Sequence, residues 1–200
     1  MKRKVIDANL SYTFSDYFKL NADTEEVLAY FDFLFEAEAL DLPQTTKEIE
    51  RLQDLRVRLE ENLAMVNLTN EIARREFLIA PVLSEVAYFT HGKIKVEYPI
   101  EVSQQLRGTL DYLVRANHNF LVVEAKQADL TRGFTQLAVE LIALAEWEEK
   151  DFLFGAVSIG ESWRFGKYER RQKMITQDLN IYNVPADLDK IVRILIGILE

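Results

Sequence analysis

The chain has no cysteine, so disulfides, zinc–thiolate sites and thiol nucleophiles are excluded. Histidine is nearly as scarce: only His91 and His118 occur, both in polar, turn-like stretches, which argues against a histidine-rich metal centre. No apolar run approaches the roughly 20 residues that span a membrane, and no secretory leader opens the chain, so a cytoplasmic protein is expected. Positive charge is short as well. The formal net charge is −9, from 24 Lys and Arg against 33 Asp and Glu, which argues against a broad nucleic-acid surface. That deficit is local: residues 21–50 carry nine acidic side chains and one lysine, and the remainder is almost balanced.

What is present suits a globular protein. Two hundred residues with 48% hydrophobic content support one domain with a substantial core and an appended piece. Residues 1–66 read as an N-terminal helical extension. Its basic opening, Lys2-Arg3-Lys4, is either a solvated terminus or a phosphate contact. Asp23 or Thr24 caps a helix carrying Val27, Leu28, Phe31, Leu34 and Phe35, which Asp41-Leu42-Pro43 ends. Thr45 or Thr46 starts a longer helix whose Leu52, Leu55, Leu59, Leu63 and Val66 recur at steps of three and four. The two helices are expected to pair as a helical hairpin with an acidic surface open to a partner protein; the narrow leucine stripe also suits a dimer seam.

Residues 67–200 alternate helix and strand signals. Thr69 or Asn70 caps a helix with Ile72, Ile79, Leu83 and Val86 on its buried face, and Pro81 should kink it or break its hydrogen-bond ladder. Residues 93–102 alternate polar and apolar as a half-buried strand does, and Pro99 places that strand at an edge or bulge. Residues 107–114 and 120–127 flank the turn Arg115–Asn119 and read as an antiparallel hairpin. A helix over 130–149 follows, then a strand over 152–159 apolar on both faces, and a closing helix docked by Leu188, Ile191, Leu195 and Ile198.

The hairpin carries the chemistry. Glu124 and Lys126 project from one face of their strand, and Asp111 lies on the strand before it. A carboxylate and an ammonium ending an apolar strand are costly unless something binds them. Magnesium takes oxygen ligands, commonly one or two carboxylates with waters and substrate oxygens. Asp111, Glu124 and the Ala125 carbonyl fit that description, with Lys126 placed to orient water or offset charge on a phosphate. A solvated strand end with a surface ion pair is the plain alternative.

Asp111 followed by Glu124-Ala125-Lys126 resembles the signature of the PD-(D/E)XK nuclease superfamily. Asn70-Glu71-Ile72 through Ala80-Pro81-Val82-Leu83 is similar to the first core helix of the N-terminal domain of type I restriction enzyme R subunits and their stand-alone relatives. The resemblance matches Glu71 to the family's helix carboxylate, with Glu76 as fallback. It matches Gln136 to the Gln of a Gln-x-x-x-Tyr motif, where Glu140 stands in place of Tyr, and the Gly160 turn into Trp163-Arg164-Phe165 also recurs there. It implies an α/β protein with a restriction-endonuclease-like αβββαβ core, a mixed sheet flanked by helices. The implied activity is a DNA endonuclease dependent on Mg2+ or Mn2+, with Asp111, Glu124, Lys126, Glu71 and Gln136 as its site. Arg164, Lys167, Arg170, Arg171 and Lys173, interleaved with aromatics, are either a DNA-contacting strip or a solvated edge hairpin. Cutting both strands with one small site suggests a homodimer. The competing expectation is a non-catalytic binding module that keeps the fold.

Overall fold

A computed structural model describes residues 5–200, so the Lys2–Lys4 opening lies outside the described residues. In chain order it contains α1 (Phe14–Lys19), α2 (Thr24–Tyr30), β1 (Leu34–Glu38), α3 (Leu52–Met65) and α4 (Glu71–Arg74), which runs through a π turn (Arg75–Ile79) into α5 (Ala80–Thr90). Then come β2 (Lys93–Glu101), β3 (Arg107–Ala116), β4 (Asn119–Ala125), α6 (Leu130–Trp147), β5 (Phe152–Ser158), β6 (Ser162–Glu169), β7 (Met174–Asp178), β8 (Tyr182–Asn183) and α7 (Leu188–Leu199).

The strands form one mixed sheet in the order β1-β7-β6-β5-β4-β3-β2, with β8 on β6. β2, β3 and β4 are an antiparallel meander. The β3–β4 turn is Asn117-His118, both in the left-handed region (φ 48° and 66°), the two-residue geometry whose twist matches the flanking strands. α6 then carries the chain across to β5, which pairs parallel with β4. β4 is apolar on both faces: Leu121, Val123 and Ala125 enter a cluster with α3, α5 and α7, while Phe120 and Val122 enter a cluster with α1, α2 and α6. Helices thus cover both faces of the sheet. Among the described residues no helix is long and apolar enough to cross a membrane.

The expected helical hairpin over 24–66 does not form. α2 stops at Tyr30, and Asp32 (φ 60°) turns the chain into β1, which pairs parallel with β7. Phe31, Phe33 and Phe35 alternate with Asp32, Leu34 and Glu36, and this period of two prevails because the Phe33 and Phe35 rings pack on Tyr168 and Phe134. The second helix begins at Leu52 rather than at Thr45. The irregular stretch before it is tied to α7: the Thr45 N–H donates to the Arg193 carbonyl (3.1 Å), and Arg193 returns bonds to the Thr45 and Lys47 carbonyls. α2 packs on α6 and α3 on α5, on opposite faces of the sheet, so the two do not pair as a hairpin. Leu55 and Leu59 of the leucine stripe are buried within the chain.

Pro81 acts as its chemistry requires. It lacks the N–H that would bond the Phe77 carbonyl, and that carbonyl instead accepts from the Asn62 side chain of α3 (2.8 Å), beside the π turn.

Candidate functional site

Asp111 and Glu124 come together because of the hairpin register. Tyr112 pairs with Val123, and the same register carried one step further sets Asp111 across from Glu124, on the α6 side of the sheet. Asp111 Oδ2 accepts from the Ala125 N–H (2.8 Å). On its other side the β2–β3 ladder is interrupted: Val96–Tyr112 and Tyr98–Leu110 pair, but between them Glu97 adopts φ 51°. Arg75, first residue of the π turn, fills the gap. Its Nη1 lies 3.3 Å from Asp111 Oδ1, its Nη2 2.6 Å from Glu97 Oε1, and its guanidinium 5.2 Å from the Tyr112 ring centroid.

Glu124 is buried. Its Oε1 accepts from the Lys126 ammonium and from Gln136 Nε2 (2.6 Å), and Gln136 Nε2 also donates to Glu140 Oε1 (2.9 Å) one helical turn along α6. The Lys126 ammonium donates further to the Ala125 carbonyl (2.9 Å) and lies 5.4 Å from the Phe18 ring of α1. Glu124 Oε2, Glu140 Oε2 and Gln136 Oε1 are buried without a hydrogen-bond partner. Buried acceptors in that state attract a proton or a cation. Burial, then the Glu140 and Asp111 charges, push the Glu124 carboxyl well above the usual range, against the pull of Lys126. Burial likewise pushes Glu140 up to about 8. Burial alone would lower Lys126, but the charge and hydrogen bond of Glu124 outweigh it, so the ammonium stays protonated. Glu71 completes the group: burial raises its carboxyl, while the Lys126 charge pulls it down.

Gly133 of α6 makes room for this arrangement. A Cβ there would stand 2.6 Å from Val157 Cγ2 and 3.1 Å from Lys126 Cγ. Gly133→Ala gains roughly 1 kcal/mol of helix propensity but incurs about 1–3 kcal/mol of overpacking. The expected outcome is a thermal midpoint several degrees lower by calorimetry; an unchanged midpoint would mean that α6 can lift off β5 freely.

Other expected residues are placed elsewhere. Glu76 is exposed and contributes nothing to the group. The Ala125 carbonyl is occupied by the Lys126 ammonium. The basic residues of β6 and its turn form no strip beside the acids. The β5–β6 register sets Glu169 against Phe152, at the opposite end of the sheet from Ser158, so Lys167, Arg170, Arg171 and Lys173 lie toward the far end. Arg170 is committed to the Ala145, Glu148 and Lys150 carbonyls at the end of α6, Lys167 to Glu169, and Arg171 to Asp151. Only Arg164, paired with Val157 beside Glu124, is level with the site.

Among the described residues no three Asp, Glu, His or Cys side chains are placed to hold a metal together. Two carboxylates suffice for magnesium, which keeps several waters and takes substrate oxygens. The donor set fits a hard divalent cation: Asp111 and Glu124 adjoin, one Glu124 oxygen is unpartnered, and four acids, Glu71, Glu97, Asp111 and Glu124, gather around Arg75 and Lys126. Arg75, Glu97 and Phe18 escape a reading of the sequence. Arg75 alone left a signal there, at one helical turn from Glu71.

The structure defines a layered α/β protein with an acid–lysine group at the carboxyl end of a parallel strand pair, where such sheets commonly hold ligands. A scan against models of known protein families and a search of curated proteins find no match to the chain.

Proposed function

We propose that the protein is a magnesium-dependent nuclease of the PD-(D/E)XK type that hydrolyses DNA phosphodiesters. The observation that carries this reading is the convergence of Asp111, Glu124, Lys126 and Gln136 on one face of the β3–β4 hairpin, with a buried Glu124 oxygen unpartnered. The chain order supports it: helix α4–α5, strands β2, β3 and β4, helix α6, strand β5, with β2-β3-β4-β5 adjacent in the sheet, follows the αβββαβ plan. Asp111 and Glu124 would hold Mg2+ or Mn2+, which when bound neutralises phosphate charge and lowers the pKa of a coordinated water. Lys126 keeps a fixed positive charge beside that position, Gln136 fixes the Glu124 carboxylate, and Glu71 adds negative charge at the edge of the group. One site per chain makes a homodimer the assembly for cutting both strands.

A second reading has its own observation. Arg75 already neutralises Asp111 and Lys126 covers the Ala125 carbonyl, so the fold tolerates its acids without a metal, as a non-catalytic binding module would. The experiment is cleavage of supercoiled plasmid, short duplex and single strands, beside thermal stability, each in millimolar Mg2+ or Mn2+ and in EDTA. The expected result is metal-dependent cleavage and a metal-raised midpoint, both lost in Asp111→Asn; saturating metal adds about 2.7 kcal/mol at a hundred times Kd. No metal response in either readout would leave the binding module.

A further inference from the structure

Arg75 has surroundings that a structural ion pair does not require. Two departures from regular backbone meet at its side chain: the π turn that begins with it, and Glu97 in the left-handed region, which opens the β2–β3 ladder beside Asp111. Both are disfavoured conformations that concentrate at working sites. Between them the guanidinium spans two acids from different strands, one per terminal nitrogen, rather than gripping one carboxylate with both. Its two partners differ in cost. Asp111 is held by the Ala125 N–H and is nearly covered, with its side chain 13% exposed; the Glu97 side chain is 57% exposed. An exposed ion pair is worth little, so a second anion can displace Glu97 cheaply.

A group of acids that works on a phosphodiester also needs fixed positive charge facing the substrate. The other nearby cations are committed or stand apart from Asp111. Arg74 donates to the Ile159 carbonyl (2.7 Å) and Glu161 (2.5 Å), and Lys126 is bound to Glu124. Arg132 holds an exposed pair with Asp129 at the start of α6, and Arg164, whose buried Nε is unpartnered, is on β6, three strands from Asp111 on β3. Arg75 stands at the Asp111 side, ring-backed and able to present two parallel N–H groups to phosphate oxygens.

We propose that Arg75 is the residue that grips the substrate phosphodiester beside Asp111, releasing Glu97 when the phosphate arrives. The inference rests on the nuclease reading, and its contact is with the backbone of the nucleic acid, so it is independent of base sequence. Glu97 acts as an internal stand-in that holds the guanidinium in place while no substrate is bound.

The test is fluorescence anisotropy of a labelled DNA duplex in Ca2+ buffer over a range of salt, with a parallel Mn2+ titration, for wild type, Arg75→Ala, Arg75→Lys, Glu97→Gln and Glu97→Gln with Arg75→Ala. Arg75→Ala is expected to weaken duplex binding roughly tenfold or more, since a hydrogen bond to a charged group is lost. It should also lower the salt slope by about one. Its Mn2+ affinity is unchanged or higher, because Asp111 loses a competing cation. Arg75→Lys falls between. Glu97→Gln tightens duplex binding, and that gain vanishes without Arg75. If Arg75→Ala does not fold, Arg75→Lys and Glu97→Gln still carry the test, since each keeps a cation in place. Weakening by Arg75→Ala and Glu97→Gln alike, in step with lost stability, would make the pair a brace and overturn the proposal. A Glu97→Gln gain that persists without Arg75 would also overturn it, as a bulk charge effect. If wild type binds Mn2+ and cleaves while Arg75→Ala binds duplex normally, the Arg75 inference fails alone. If wild type neither binds Mn2+ nor cleaves, yet Arg75→Ala loses duplex affinity, the nuclease reading fails and the phosphate contact stands.

Discussion

Lys126→Ala is expected, under the proposed nuclease activity, to cleave DNA at least about a hundredfold more slowly than wild type while binding Mn2+ at least as tightly, because a fixed charge beside developing negative charge is worth that much. The two halves of this expectation come from the same geometry. The Lys126 ammonium sits on Glu124 Oε1 and on the Ala125 carbonyl, two of the three oxygens the sequence assigns to the metal. Removing it frees both for a cation and, under the proposed nuclease activity, takes away the fixed positive charge beside the metal position. Breaking a buried pair by deleting one partner costs about 3–5 kcal/mol when the remaining charge stays ionised. Here the cost is capped, because the Glu124 carboxyl, already pushed well up by burial and by Glu140 and Asp111, takes a proton instead. The metal-free variant therefore folds, with a midpoint some degrees lower. Lys126→Arg does not rescue: the lysine stem lies close over Gly133, and a planar guanidinium does not fit where a point charge does. Cleavage time courses beside Mn2+ titrations check the claim. Cleavage and Mn2+ affinity falling together would make Lys126 a brace for Glu124 and nothing more.

The site was legible where it depended on residue type and short-range spacing. Asp111, Glu124 and Lys126 fall on a hairpin whose turn chemistry and alternation are explicit; Gln136 was singled out through the resemblance alone, and α6 is what sets it on Glu124 with Glu140 one turn on. It was illegible where tertiary context chose the backbone. Pro81 marks a break in the helix ladder, but no pattern in the sequence places a π turn at Arg75 or turns Glu97 left-handed, and it is between those two irregularities that Arg75 meets Asp111. The same holds for the fold. In residues 24–38 the apolar positions satisfy a helical period through Val27, Leu28, Phe31, Leu34 and Phe35, and a strand period through Phe31, Phe33 and Phe35. The choice is made by β7, far along the chain, which offers β1 a partner. The basic residues after Glu161 look clustered in sequence, but a strand and its turn spread them along the sheet, and Arg170 is drawn to the open carbonyls ending α6.

Glu140→Gln is expected to make the metal-free protein more stable at alkaline pH by several kcal/mol. Burial pushes the Glu140 carboxyl up to about 8 from an ordinary 4.5. Between those two values the folded state holds a proton that the unfolded chain has already released, so stability falls as pH rises through that window and levels off above about 8. At about 1.4 kcal/mol per pH unit, the loss is on the order of 5 kcal/mol for a group titrating alone. The Glu124 carboxyl, also raised, contributes with the same sign. Glutamine has no proton to lose, keeps an acceptor for Gln136, and brings an amide donor toward the unpartnered oxygens of the cluster. Urea midpoints in EDTA at pH 4.5, 6, 7.5 and 9 should converge for the two proteins at the acid end and diverge until about pH 8, where the gap levels off. Parallel curves would mean that water reaches Glu140 and that its carboxyl is ionised at neutral pH. Adding Mg2+ turns the same linkage around. At the proposed metal site a cation on Glu124 would compete with the proton there, so the stabilisation expected from metal should grow with pH across the window in which the metal-free protein weakens.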